Sequence, residues 1–223
     1  EELAEGLGIA PLKATVEIAD RIGCPVEVHC TNIPVPTAEV LAVLRPGDIF
    51  EHVYQGVKNT IIDEHGKLRD CVRQARERGI LFDTAEGRKH GDFEVMLAAK
   101  EQGFVADFCS TDLVSGSMYR RPIFSLPNLM SRYIEMGLPM QKVVEMATAA
   151  PAKLMKLEGK IGCLSEGARA DIAIFRWMPF HQTYRDWKGS AFSADNVLKA
   201  EMTIKDGDIV YCAPDYLYEA QYQ

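Results

Sequence analysis

The 223-residue sequence lacks an apolar run that approaches the ~18–20 residues of a membrane-spanning helix. It also lacks an excess of basic residues, since 25 lysines and arginines against 32 aspartates and glutamates give a net charge of −7. General nucleic-acid binders and anionic-membrane binders need a basic face, so the composition argues against both. We therefore expect a small-molecule partner and neither nucleic acid nor membrane. Whether the protein forms a homo-oligomer stays open.

Paired cysteine motifs are also missing. The sequence has six cysteines, and none of them forms a C-x-x-C pair. A chain of this length with 47% hydrophobic residues does not depend on disulfides for its core. We predict reduced thiols and a cytoplasmic location, although an even count leaves extracellular pairing open.

The first part of the chain alternates short apolar strands with amphipathic helices. Each predicted strand is rich in β-branched or aromatic residues and follows a turn containing glycine or proline. The predicted strands are residues 25–30, 48–53, 79–84 and 104–111, and the predicted helices are 11–22, 38–44 after a capping Thr37, 66–78 and 92–102. This alternation predicts an α/β fold with a parallel sheet.

The second part changes character twice. Two amphipathic helices are predicted at 126–135 and 141–149, and Pro151 opens a short third one. From Gly159 the pattern favours strands, with 170–175 alternating and 200–204 and 209–211 forming a hairpin around Asp206-Gly207. We therefore predict two domains, 1–158 and 159–223.

Polar residues follow three of the predicted strands in the first domain. His29 ends the first strand, His52 ends the second, and Asp112 lies just past the fourth. Because parallel α/β folds bind ligands at the carboxyl ends of their strands, these side chains are expected at one rim. Two imidazoles and a carboxylate suit a divalent metal such as zinc. The spacing alone leaves ordinary polar residues as the alternative.

Several motifs together resemble the amidohydrolase superfamily, and in particular its dihydroorotase-like amidohydrolase/deacetylase branch. They are VEVHC around His29, EHVYQG around His52, STDL around Asp112 and GCLSEGARADI from Gly162. The resemblance implies the second half of a (β/α)8 TIM barrel, strands five to eight, within 1–158. It implies part of a small β-sandwich and a C-terminal tail within 159–223.

The resemblance also implies a metal centre and a reaction. His29 and His52 match the family's metal-binding histidines, and Asp112 matches its catalytic aspartate, which is both a ligand and a proton shuttle. The implied cofactor is one or two divalent ions, most simply zinc. The implied activity is hydrolysis of amide, cyclic amide or N-acyl bonds in amino-acid-like substrates.

Two family features are absent from the sequence. It contains no H-x-H pair and no lysine on a strand before His29, so we expect it to be part of a longer protein and inactive alone. The alternative is a catalytically inactive scaffold with the amidohydrolase fold. In addition, Glu86 stands where the branch usually has a histidine between two glycines.

Substrate contacts are expected from loops that follow the strands. We predict Asn32, Tyr54, Glu86 and Arg120 as substrate-binding residues, with Arg120 preferred to Arg88 as partner of a substrate carboxylate. Two further histidines are assigned no role in the site. His90 is expected in a solvated polar loop, and His181 in an irregular aromatic stretch.

Overall fold

The computed structural model describes residues 6–120 and 122–216, which form two compact units. The first unit extends to Ile123 and includes the segment Arg185–Ser190. The second comprises Phe124–Tyr184 and the chain from Ala191 onward. The helices after Ile123 therefore belong to the same unit as the C-terminal strands. The domain boundary at 158/159 stays a prediction.

The first unit alternates helices and strands, as the sequence predicts. Its three-stranded sheet has the order β1-β2-β3, and both neighbouring pairs are parallel. The strands are β1 (Glu27–His29), β2 (Ile49–Glu51) and β3 (Leu81–Phe82), and the helices are α1 (Ala10–Ile22), α2 (Thr37–Val43), α3 (Asp70–Glu77) and α4 (Phe93–Glu101). The mixed α/β architecture is confirmed.

The predicted fourth strand, 104–111, is reduced to one parallel bridge between Asp83 and Phe108. The backbone N–H groups of Asp107 and Phe108 both donate to the carbonyl of Phe82, at 2.8 and 3.2 Å. The Phe82 N–H instead donates to the Asp107 carboxylate at 2.9 Å. Because this side chain takes the place of a backbone acceptor, the ladder stops after one bridge.

The starts of α3 and α2 differ from the predicted ones because of contacts with other parts of the chain. Helix α3 starts at Asp70 because Leu68 pairs with Ile62 in an antiparallel bridge, which holds the preceding residues in an extended path. Helix α2 already includes Thr37, whose hydroxyl donates to the Asn59 carbonyl at 2.7 Å instead of capping the helix. By contrast, Asp92 caps α4 as a helix-start residue should, accepting from Glu94 and Val95 N–H groups.

The second unit contains three helices and a three-stranded sheet. The helices are α5 (Leu126–Glu135), α6 (Met140–Ala147) and α7 (Ala149–Leu154), and the sheet has the order β4 (Ile172–Arg185), β5 (Ala191–Lys205), β6 (Asp208–Cys212). Strands β5 and β6 are antiparallel around Asp206-Gly207, which confirms the predicted hairpin. His181 lies within β4 and not in an irregular stretch, and its Nδ1 is 2.8 Å from Asp195. Over both described ranges, no helix is long and apolar enough to span a membrane.

A buried carboxylate fixes the start of the parallel sheet. Asp48 is 1% exposed and lies directly before β2. Its oxygens accept from the Val26 N–H at 2.8 Å, from the Arg45 N–H at 2.7 Å and from the Arg45 guanidinium. Burial alone would raise the pKa of Asp48, but these hydrogen bonds outweigh it and hold the pKa below its ordinary value. The entries to β1 and β2 are thereby joined.

We expect Asp48→Asn to lower the free energy of unfolding at pH 7 by about 1–3 kcal/mol, because charged hydrogen-bond partners are left unpaired. A lowered pKa in the folded state contributes stability above the unfolded value of about 3.9, and this contribution is lost as the pH falls through the folded value. The difference between the wild type and the variant should therefore shrink below about pH 4. Urea unfolding of the full-length protein at several pH values measures it.

Asp20→Asn is the matched control, since Asp20 bonds the same Arg45 but its side chain is 63% exposed. Its effect should stay within the ~0–1 kcal/mol that is typical of exposed ion pairs. Equal losses of unfolding free energy in the two variants would show that burial of Asp48 does not determine its contribution to stability.

Candidate metal and active site

The carboxyl ends of β1 and β2 bring the predicted histidines together. His29 is the last residue of β1 and His52 directly follows β2. The Nδ1 atom of His29 lies 2.8 Å from Nε2 of His52, and the ring centroids are 4.8 Å apart. Two of the three predicted ligands are therefore in direct contact.

Left-handed backbone recurs at this rim. The φ angles are +57° at His52, +32° at Ala85 and +46° at Asp112. Residues other than glycine rarely adopt this conformation, and such residues cluster at functional sites. In a regular strand, Glu51 and His52 would point to opposite faces. The left-handed residue breaks this alternation, and Oε2 of Glu51 lies only 3.7 Å from Nε2 of His52.

His52 is a buried, neutral imidazole. It is 1% exposed, and its Nδ1 lies 2.5 Å from the Ala85 carbonyl, which can only accept, so Nδ1 carries the proton. Burial, with His90 and His29 nearby, lowers the pKa of His52 to about 3. The lone pair on Nε2 is therefore available to a metal, and a backbone carbonyl fixes the ring as it does for many ligating histidines.

His90 connects His52 with Asp112. Its ring stacks on that of His52 with centroids 3.9 Å apart, and its Nε2 lies 3.7 Å from Oδ2 of Asp112. Its Nδ1 is 2.6 Å from the Thr31 hydroxyl. The prediction of a solvated loop is wrong for His90, because the loop after β3 folds back over the rim. No local pattern around His90 indicates this return.

Carboxylates crowd the same rim. Glu51 lies 3.1 Å from Nδ1 of His29, and its ligand atom is within 4.8 Å of those of Glu27 and Asp83. Burial, followed by the charges of Glu27, Asp83 and Asp112, raises the pKa of Glu51 to about 8. Sequence reasoning missed Glu51, although its place beside His52 at a strand end was a usable clue.

A cavity of about 240 Å³ adjoins Asp112. Its lining residues are Arg88, Lys89, His90, Asp112, Val114 and Ser117. The lining thus combines two cationic side chains with a carboxylate and an imidazole. Arg88 lines the cavity, and Arg120 does not. Both arginines are exposed.

The other predicted substrate residues differ in exposure. Asn32 is exposed at the rim, with a φ of +51°. Glu86 is buried, and Gly91 leaves room for it, since a Cβ at that glycine would lie 2.2 Å from Oε2 of Glu86. Tyr54 is 2% exposed, and its hydroxyl accepts from the Ala106 N–H at 2.9 Å. Tyr54 is therefore a buried residue of the first unit, and its contact with substrate stays a prediction.

The donor set fits a divalent transition metal. His29, Glu51 and His52 form one group of ligand atoms lying within 4.8 Å of one another, and His52, His90 and Asp112 form another. Imidazole and carboxylate donors suit zinc and related ions. Within the described part of the chain, Oε2 of Glu51 is buried without a hydrogen bond, and a cation bound here would satisfy it.

A model of the amidohydrolase family matches residues 9–210. The match covers most of the chain, so this chain belongs to the amidohydrolase family. The resemblance identified from the sequence motifs is thereby confirmed.

Relatives of known structure and name agree with this assignment. A deacetylase of Enterococcus faecalis is 30% identical over 204 residues, covering 91% of this chain and 55% of the relative. An adenine deaminase structure aligns with a TM-score of 0.88 at 29% identity, over 93% of this chain and 56% of that one. A dihydroorotase structure aligns with a TM-score of 0.80 at 26% identity, over 92% and 53%. This chain spans about half the length of these relatives.

We expect Gly87→Ala to disturb the rim. Gly87 has a φ of +49°, and a Cβ there would lie 2.4 Å from Oδ2 of Asp112 and 2.9 Å from Cδ2 of His90. Both side chains must therefore move, and the imidazole NMR resonances of His90 should shift. Gly103→Ala is the control, because its φ is +78° with nothing within 4 Å of the added Cβ.

Both substitutions place alanine in left-handed backbone, which costs about 1–2 kcal/mol in each. Only Gly87→Ala should change the His90 signals. Unchanged His90 resonances in Gly87→Ala would contradict the described packing of this loop against Asp112.

Proposed function

We propose that this chain supplies the catalytic rim of a metal-dependent hydrolase that cleaves C–N bonds in amide, cyclic amide or N-acyl small molecules. The observation that carries the proposal is the convergence of His29, His52, His90 and Asp112 at the carboxyl ends of parallel strands. Family membership supports the reaction class. We further propose that 1–158 contribute strands five to eight of a (β/α)8 barrel, and 159–223 part of a β-sandwich.

His29 and His52 would hold one ion and Asp112 the other of a pair, and zinc is the proposed identity. When bound, such an ion polarises the scissile carbonyl and lowers the pKa of water towards ~7. The chain's own contribution is orientation. The Ala85 carbonyl fixes the His52 ring through Nδ1, which leaves Nε2 directed at His29 and Glu51.

Asp112 is the proposed proton shuttle. Its carboxylate lies 3.7 Å from Nε2 of His90 and on the wall of the 240 Å³ cavity. We propose that Oδ2 accepts a proton from the attacking water as the new C–O bond forms. The same proton then passes to the leaving nitrogen as the C–N bond breaks, which restores the carboxylate.

The cavity favours a substrate that carries an anionic group. Arg88 and Lys89 line it beside Asp112, and a guanidinium can bind a carboxylate through two hydrogen bonds. We therefore propose amino-acid-like substrates, with Arg88 replacing Arg120 as the carboxylate partner. Asn32 and Glu86 remain proposed contacts at the opposite side of the substrate.

We expect Asp112→Asn in the full-length protein to lower kcat by about 10²–10⁴-fold, because the amide cannot take up the proton. Steady-state hydrolysis of N-acyl amino acids, cyclic amides and ureido acids measures this. Asp70→Asn is the control, since Asp70 is an exposed carboxylate at the start of α3.

Removal of metal with a chelator should abolish the same activity, and zinc should restore it. Hydrolysis that survives both chelation and Asp112→Asn would contradict the proposed mechanism. Absence of metal and of hydrolysis in the full-length protein would favour the inactive-scaffold alternative.

A second prediction concerns substrate charge. Arg88→Met should lower kcat/KM for N-acyl amino acids by about ten- to a hundredfold, because loss of a hydrogen bond to a charged group costs ~1.5–3 kcal/mol. Neutral amide analogues of the same substrates should lose much less. Arg120→Met is the comparison, since Arg120 lies outside the cavity lining.

The two arginine variants decide between two assignments. Selective loss in Arg120→Met would return the carboxylate contact to Arg120. If Arg88→Met lowers kcat/KM equally for charged and neutral substrates, Arg88 does not bind the substrate carboxylate.

A further inference from the structure

We propose that Glu51 is a metal ligand that completes a set of two histidines and one carboxylate with His29 and His52. This inference rests on the proposed metal dependence and goes beyond it, because the family resemblance implies no ligand at position 51. One divalent transition-metal ion would then be held by three side chains from two adjacent strand ends.

The parallel register places these side chains together. His29 and Glu51 are Cα partners in the β1–β2 ladder, so their side chains leave the sheet on the same side. His52 would leave on the opposite side, but its φ of +57° turns it back. The arrangement therefore depends on backbone pairing and not on flexible side chains alone.

The distances match those of a shared ion. The three ligand atoms are Nδ1 of His29, Nε2 of His52 and Oε2 of Glu51. Their separations are 2.8, 3.1 and 3.7 Å. Ligands bound tetrahedrally to zinc at 2.0–2.1 Å lie about 3.3 Å from one another. The observed separations fall on both sides of this value, so one ion can reach all three atoms after small adjustments.

Oε2 of Glu51 forms no hydrogen bond with the described residues and lies near the two imidazoles. Its side chain is 12% exposed, and Oε2 is buried with no hydrogen-bond partner there. The 3.1 Å approach to His29 lacks the geometry of a hydrogen bond. Such an atom is costly unless it is satisfied, and a cation between the imidazoles satisfies it.

The neighbouring carboxylates do not share this position. Oδ2 of Asp83 accepts from the Ser110 hydroxyl at 2.6 Å. Its Oδ1 is also buried without a hydrogen bond among the described residues, but the ligand group of Asp83 contains no imidazole. Glu27 is exposed on β1, two residues before His29, and belongs to a ligand group that contains no imidazole. Glu27 is therefore a matched control, since its charge acts on both Glu51 and His29 but it shares no ligand group with a histidine.

The test uses the full-length protein, stripped of metal and titrated with Co²⁺ and Zn²⁺. Glu51→Gln should weaken binding of one ion by about 100-fold or more and alter the Co²⁺ visible spectrum, because an anionic ligand is lost. Glu51→Asp should recover part of the affinity. Glu27→Gln should change affinity by no more than the two- to fivefold expected from one screened charge.

Three results would overturn the inference. They are unchanged affinity in Glu51→Gln, weaker binding with an unchanged Co²⁺ spectrum, and no metal bound by the unsubstituted protein. The second result would make Glu51 a positioning residue for His29. Hydrolysis that persists after chelation, with the Co²⁺ results as expected, would refute the proposed function alone. The absence of bound metal would refute both.

Discussion

The parallel pairing of β1, β2 and β3 is the constraint on which the site depends. It brings three carboxyl ends to one edge, and its register sets His29 opposite Glu51. The strands themselves are only two or three residues long, so ladder bonds alone hold them weakly. Asp48 compensates by bonding the entries of β1 and β2 through a buried charged network. The hydrogen bonds at the start of the sheet thus help to hold the polar side chains at the carboxyl ends of the strands.

The carboxyl ends of these strands place a neutral histidine beside several carboxylates. Burial keeps His52 neutral, so its nitrogen can donate to a metal and adds no positive charge. Burial, followed by the charges of Glu27, Asp83 and Asp112, raises the pKa of Glu51. A neutral His52 beside crowded carboxylates is an arrangement that a bound cation would stabilise. The cationic Arg88 and Lys89 line the cavity together with Asp112.

Much of the fold could be predicted from periodicity, because strands and helices bury apolar faces with different repeats. The alternation through α4 and the C-terminal hairpin follow from such patterns. The fourth strand could not be predicted in its true extent, since the Asp107 carboxylate replaces a ladder acceptor through a contact 25 residues away. The start of α3 also depends on tertiary pairing, here between Ile62 and Leu68.

The sequence by itself determined the chain's family, its α/β character and the positions of His29, His52 and Asp112 at strand ends. These three properties follow from which residues are neighbours in the sequence, and sequence motifs and periodicity show such neighbours directly. Only the tertiary structure decided that His90 stacks on His52, that Tyr54 is buried and that Glu51 faces both imidazoles. The reason is physical: loop paths, strand register and left-handed turns bring together residues that are distant in sequence or that a regular strand would separate.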